Sequence, residues 1–114
     1  MPYFKIETNQ KLNDLDRQEF LRRASHFLGA LLGKPEEYIM VSLHEDIPML
    51  FSGNTAATAY SEVKSIGLPR GKCGEYAAAI GDFLETELSV APERSYIEFT
   101  DIDGALFGWN RATF

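Results

Sequence analysis

The chain is short of the residues that staple or metallate a small domain. Among its 114 residues there is one cysteine, Cys73. A single thiol closes no disulfide within the chain and excludes both a CxxC redox pair and a cysteine-rich zinc site. The two histidines, His26 and His44, are far apart and lack ligand spacing, so no metal or cofactor is expected. Positive charge is scarce too: 11 Lys and Arg stand against 17 Asp and Glu, a formal net charge of −6. A phosphate-backbone binder needs clustered Lys and Arg, and a polybasic membrane surface needs the same, so neither nucleic acid nor membrane is an expected partner. No apolar run approaches the ~20 residues of a membrane-spanning helix. The first residues carry Lys5 and Glu7 and lack the apolar core of a signal peptide. These absences point to a soluble cytoplasmic protein. They leave secretion by a leaderless route unread.

What is present suits a single domain over residues 1–114. Apolar residues make up 45% of the chain, enough for a core, yet a domain this small buries a modest fraction of its surface. Oligomerisation is therefore an expected supplement.

Two helices stand out by periodicity. Phe20, Leu21, Ala24, Phe27, Leu28, Leu31 and Leu32 recur at helical spacing, with Asn13 or Asp14 to cap the start and Gly33 to close the end before Pro35. A second helix is expected from about Gly71 to Leu88, with Cys73, Tyr76, Ala77, Ile80, Phe83, Leu84 and Leu88 on one face. Cys73 is read there as a small core residue. Each helix leads into a similar phrase: Lys34-Pro35-Glu36-Glu37-Tyr38-Ile39 after the first, Ala91-Pro92-Glu93-Arg94-Ser95-Tyr96-Ile97 after the second. Each follows a strand candidate, Pro2 to Thr8 and Ala57 to Ile66. The chain thus divides into two β-α-β pseudo-repeats, about 2–51 and 57–110.

Crossovers of this length favour parallel strands within each unit. The expected fold is α+β, a two-layer α/β arrangement: a four-stranded mixed sheet with both helices on one face. That leaves the other sheet face bare, with Tyr38, Met40 and Tyr60 among its candidates, which predicts self-association in a closed ring. Met49-Leu50-Phe51 and Phe107-Gly108-Trp109 are expected to serve as short edge strands at such contacts.

The start of the chain carries the sharpest chemical signal. Met1 precedes Pro2, and an initiator methionine before a small residue is normally trimmed. Within a chain proline has no N–H and no basic nitrogen; at an N-terminus it is a secondary amine. An α-amino group titrates at ~7.7–8.0, so about one in ten is neutral at pH 7. Burial or a nearby cation lowers that value. A shift to about 6 raises the neutral fraction by somewhat under tenfold, a little over 1 kcal/mol, so most of any acceleration must come from positioning and enolate stabilisation. From the pattern alone Lys34 is either a holder of a carboxylate or a solvated residue complementing the helix dipole. Tyr96, Trp109 and Phe114 are likewise open between lining a pocket and simple packing.

The whole chain resembles the macrophage migration inhibitory factor family of the tautomerase superfamily. The resemblance rests on Met1-Pro2, Thr8-Asn9, Gly33-Lys34-Pro35 with Tyr38-Ile39, Ser65-Ile66-Gly67, Tyr96-Ile97, Gly108-Trp109-Asn110 and Thr113-Phe114. It implies a homotrimer in which Pro2 is the catalytic base of keto–enol tautomerisation, acting on a phenylpyruvate-type 2-keto acid or its enol. It further implies that Lys34 and the Ser65-Ile66 backbone orient the substrate. Tyr38, Phe107, Trp109 and Phe114 would line the pocket, with Tyr3 narrowing it. Tyr96 and Glu98 would come from the neighbouring subunit.

Glu98 replaces the asparagine of animal members; it could pair with Lys34, repel an anionic substrate, swing outward, or raise the pKa of Pro2. Thr58 and Ser61 occupy the family's redox Cys-x-x-Cys positions, which excludes that activity. Two other roles stay open under the resemblance: a cytokine-like signalling protein with an unidentified receptor, and a hydratase or dehalogenase in which the proline is a protonated acid.

Overall fold

The computed structural model describes residues 1–114 and arranges them as two β-α-β units sharing one sheet. β1 (Tyr3–Thr8), α1 (Asp14–Leu32) and β2 (Met40–His44) form the first unit. β3 (Ala59–Ile66), α2 (Cys73–Leu88) and β4 (Ser95–Ile102) form the second. A terminal hairpin, β5 (Gly108–Trp109) with β6 (Ala112–Thr113), closes the chain. The strand order is β2-β1-β3-β4. Pairing is parallel within each unit and antiparallel where β1 meets β3, so the sheet is mixed.

Alternation decides the two faces. Phe4, Ile6 and Thr8 are buried along β1 while Tyr3, Lys5 and Glu7 face the other way. Register carries the buried rows across the sheet: Phe4 stands opposite Val41 and Val63, and Val63 opposite Phe99. Both helices lie on this side, where Phe20, Ala24 and Leu28 of α1 and Ile80, Leu84 and Leu88 of α2 complete the core. Phe27 and Phe83 stack at 4.4 Å and join the helices.

The helix ends follow from local chemistry. Asn13 caps α1, its side chain accepting the Asp16 N–H at 2.9 Å. Gly33 closes α1 in the left-handed region at φ 64°, and the Lys34 N–H folds back onto the Gly29 carbonyl at 3.0 Å. α2 starts later than expected: Arg70–Lys72 is a single 3-10 turn and the α-helix begins at Cys73. The Lys72 N–H closes that turn on the Pro69 carbonyl at 2.9 Å, an i→i+3 bond in place of the i→i+4 bond of an α-helix. Cys73 accordingly lies at the rim, its thiol directed at the Pro69 carbonyl, and not in the core.

Two further expectations are corrected. Met49-Leu50-Phe51 forms no strand; only Phe51 bridges, to Asn54, around a tight turn with Ser52 and Gly53 at positive φ. The bare sheet face is less apolar than expected. Its rows run His44-Glu7-Tyr60-Tyr96, then Ser42-Lys5-Glu62-Glu98, then Met40-Tyr3-Lys64-Thr100. Met40 and Tyr96 are two-thirds exposed, but charges alternate between them.

Candidate active site

A cavity of about 410 Å³ opens at the head of β1. Met1, Pro2 and Tyr3 form one wall, and Tyr38, from the turn preceding β2, forms another. The rest comes from the C-terminal end: Phe107, Gly108, Trp109 and Phe114. That end is folded back by local rules. Asn110 and Arg111 both take positive φ, the two-residue turn that matches strand twist, and the Phe114 N–H returns to the Gly104 and Phe107 carbonyls. The aromatic rings support one another: Tyr38 meets Trp109 edge-on at 5.6 Å, and Trp109 stacks on Phe114 at 6.1 Å.

Pro2 is fixed in this wall. Its ring is fully buried, and its carbonyl accepts the Met40 N–H at 3.1 Å, so β2 clamps the start of β1. With Met1 in place the nitrogen of Pro2 is a peptide nitrogen, and the free amine belongs to Met1, at the cavity wall. Burial pushes that amine below its ordinary value of 8.0, and the positive charge of Lys34 adds to the shift.

Lys34 stands beside the cavity, with Nζ donating to the Ile66 carbonyl at 3.4 Å. The structure thus joins Lys34 to the Ser65-Ile66 segment but places Ser65 on the buried, helix-facing side of β3. Tyr96 and Glu98 lie elsewhere in the protomer. Tyr96 packs edge-on against Phe51 at 5.0 Å. Glu98 does not pair with Lys34; its carboxylate accepts the Tyr60 hydroxyl on the bare sheet face. That hydrogen bond, helped by burial, pushes the Tyr60 phenol up to about 12. The sequence reading missed Met40, Lys64, Glu37 and Ile39 as lining residues. Strand alternation held the signal for two of them: Met40 and Lys64 flank Tyr3 in register on the same face.

A buried proline in the N-terminal wall, an aromatic cavity and a lysine at its side together match one known pattern over the full chain. Residues 1–114 fit the family model described as macrophage migration inhibitory factor (MIF). The chain belongs to the MIF family. It is 36% identical to a macrophage migration inhibitory factor homolog of Brugia malayi over 115 residues, covering 100% of this chain and 99% of that protein. Among solved structures, the homologue from Prochlorococcus marinus aligns with a TM-score of 0.91 at 40% identity, covering 98% of each chain. The Trichinella spiralis protein aligns with a TM-score of 0.89 at 32% identity, over 98% of this chain and 99% of that one. The MIF fold, with its paired β-α-β units and C-terminal hairpin, is thus shared along the whole length.

Proposed function

We propose that this MIF-family chain is a keto–enol tautomerase of phenylpyruvate-type 2-keto acids, with Pro2 as general base once Met1 is removed. The observation that carries the reading is the place of Pro2, buried in the wall of an aromatic cavity at the start of the chain with Lys34 near enough to act on the terminal amine. Removal of Met1 transfers the free amine to Pro2 and opens the space that Met1 fills. The secondary amine then takes a proton from the carbon next to the substrate carbonyl. The C–H electron pair becomes the enolate double bond, and the carbonyl oxygen receives the proton that completes the enol. Lys34 holds the substrate carboxylate by charge, and the aromatic rings of Tyr38, Trp109 and Phe114 sandwich an aryl side chain. Burial and Lys34 depress the Met1 amine; the same surroundings acting on the Pro2 amine once Met1 is gone would favour base chemistry over a protonated-proline hydratase or dehalogenase, which needs a raised value.

The assembly belongs to the same proposal. A homotrimer would cover the bare sheet face and bring Tyr96 and Glu98 of one copy toward the cavity of another. Support comes from their exposure in the protomer: Tyr96 is 65% exposed and outside the cavity it is expected to serve.

The test is turnover of phenylpyruvate by protein whose N-terminus is set by intact mass. Pro2→Gly, or a chain that retains Met1, should lose about 10²–10⁴-fold in kcat/KM, the span of a general base. Normal turnover with Met1 retained would rule the proposal out.

A further inference from the structure

The cavity beside Pro2 holds a cation that the proposed reaction leaves unused. Lys64 lines it from β3, opposite Tyr3 in register and on the sheet face away from the helices. Lys64 is half-buried, and the acceptors around it are engaged elsewhere. Glu7 holds Lys5 at 3.1 Å, the Tyr3 hydroxyl is bonded to Ser42 at 2.6 Å, and Glu62 and Glu98 converge on the Tyr60 hydroxyl. The acid at the cavity, Glu37, is exposed and enters from the turn before β2, with β1 lying between it and Lys64. An ammonium among aromatic walls with no partner is only partly compensated for the water it loses.

Lys34 and Lys64 address different places. Only Lys34 acts on the terminal amine. Its Nζ sits against the Ile66 carbonyl at 3.4 Å, whereas Lys64 stands two residues earlier on the same strand, roughly 7 Å back along β3. That offset is close to the span of a phenyl ring with one substituent. We propose that Lys64 sets the specificity of the Pro2 cavity, which takes an aryl 2-keto acid bearing a second negative group at the far end of its ring. The inference rests on the tautomerase reading for the placing of the substrate. With the keto-acid end at Pro2 and Lys34 and the ring between Tyr38, Trp109 and Phe114, the far substituent reaches Lys64. A carboxylate there gains a charge-assisted hydrogen bond that the unsubstituted ring of phenylpyruvate cannot make.

The probes are the para-carboxy and para-carboxamide derivatives of phenylpropionate, which have no enolisable ketone and so report binding without turnover. The two match in shape and differ by a charge. Trp109 is the single tryptophan and lines the cavity, so its fluorescence reports occupancy. On protein that begins at Pro2, the carboxy compound should bind about five- to tenfold more tightly than the carboxamide at low ionic strength. Added salt should narrow the gap. Lys64→Gln should bring the ratio close to unity, Lys64→Arg should keep most of it, and Lys34→Gln should weaken both compounds without closing the gap. Equal affinities in the parent protein, or a ratio unmoved by Lys64→Gln, would overturn the inference. A gap that appears only in Glu98→Gln would overturn it too, by making Glu98 of another copy the partner of Lys64. Phenylpyruvate turnover is measured on the same sample. Turnover without the binding preference removes this inference and leaves the tautomerase reading standing; the preference without turnover does the reverse.

Discussion

At the N-terminus, the hold on the Pro2 ring and the shift of the Met1 amine come from different parts of the chain. The Met40 N–H and the core hold the ring, while burial and Lys34 act on the terminal amine. The Met1-Pro2 pair was legible in sequence because its chemistry is local. The partner of Glu98 was not, because the Tyr60 hydroxyl reaches it across two strands, and nothing in a single strand's alternation selects one acceptor over another. That pair makes its own prediction. The bond needs a protonated phenol, so its contribution to folding is complete below the ordinary tyrosine value of 10.0 and is lost as pH rises through about 12. An ultraviolet phenolate titration should show one tyrosine ionising near 12, and Glu98→Gln should return it toward 10. An unchanged titration curve in Glu98→Gln would refute the pairing.

At the scale of elements, both helices and all four long strands followed from periodicity, since each buries one face and the spacing of that face is written in apolar residues. Their ends were less legible where a turn depends on geometry. Gly33 announced the close of α1, but Ser89 closes α2 in the same left-handed conformation, φ 57°, without a glycine to mark it. Ser89→Gly should therefore raise unfolding free energy by about 1 kcal/mol, read by chemical denaturation. The reverse holds in α1. A Cβ on Gly29 would lie 3.0 Å from the Lys34 carbonyl oxygen and 3.2 Å from Ile39 Cδ1. Gly29→Ala should cost about 1–3 kcal/mol as the segment bearing Lys34 is pushed off the helix. It should raise KM for phenylpyruvate more than it lowers kcat.

For the whole molecule, the sheet face away from the helices sets the question. The sequence suggested an apolar surface because Tyr38, Met40 and Tyr60 were conspicuous. Tyr38 instead stands in the turn before β2 as a cavity wall, and register interleaves Lys5, Glu7, Glu62, Lys64 and Glu98 with Met40 and Tyr60. A surface so mixed favours a specific, charge-matched contact over general stickiness. Light scattering should give a mass three times that of the 12.8 kDa chain. A species that stays monomeric at micromolar concentration while turning over phenylpyruvate would remove the need for a neighbour's Tyr96 and Glu98.

The most direct measurement is the pH dependence of kcat/KM for phenylpyruvate, on protein shown by intact mass to begin at Pro2. Activity should rise with pH as the amine loses its proton, with a midpoint below 8.0, the ordinary value for an α-amino group, because burial and the Lys34 charge disfavour the cation. A profile that instead falls through this range, or one identical in protein that keeps Met1, would contradict Pro2 as the base.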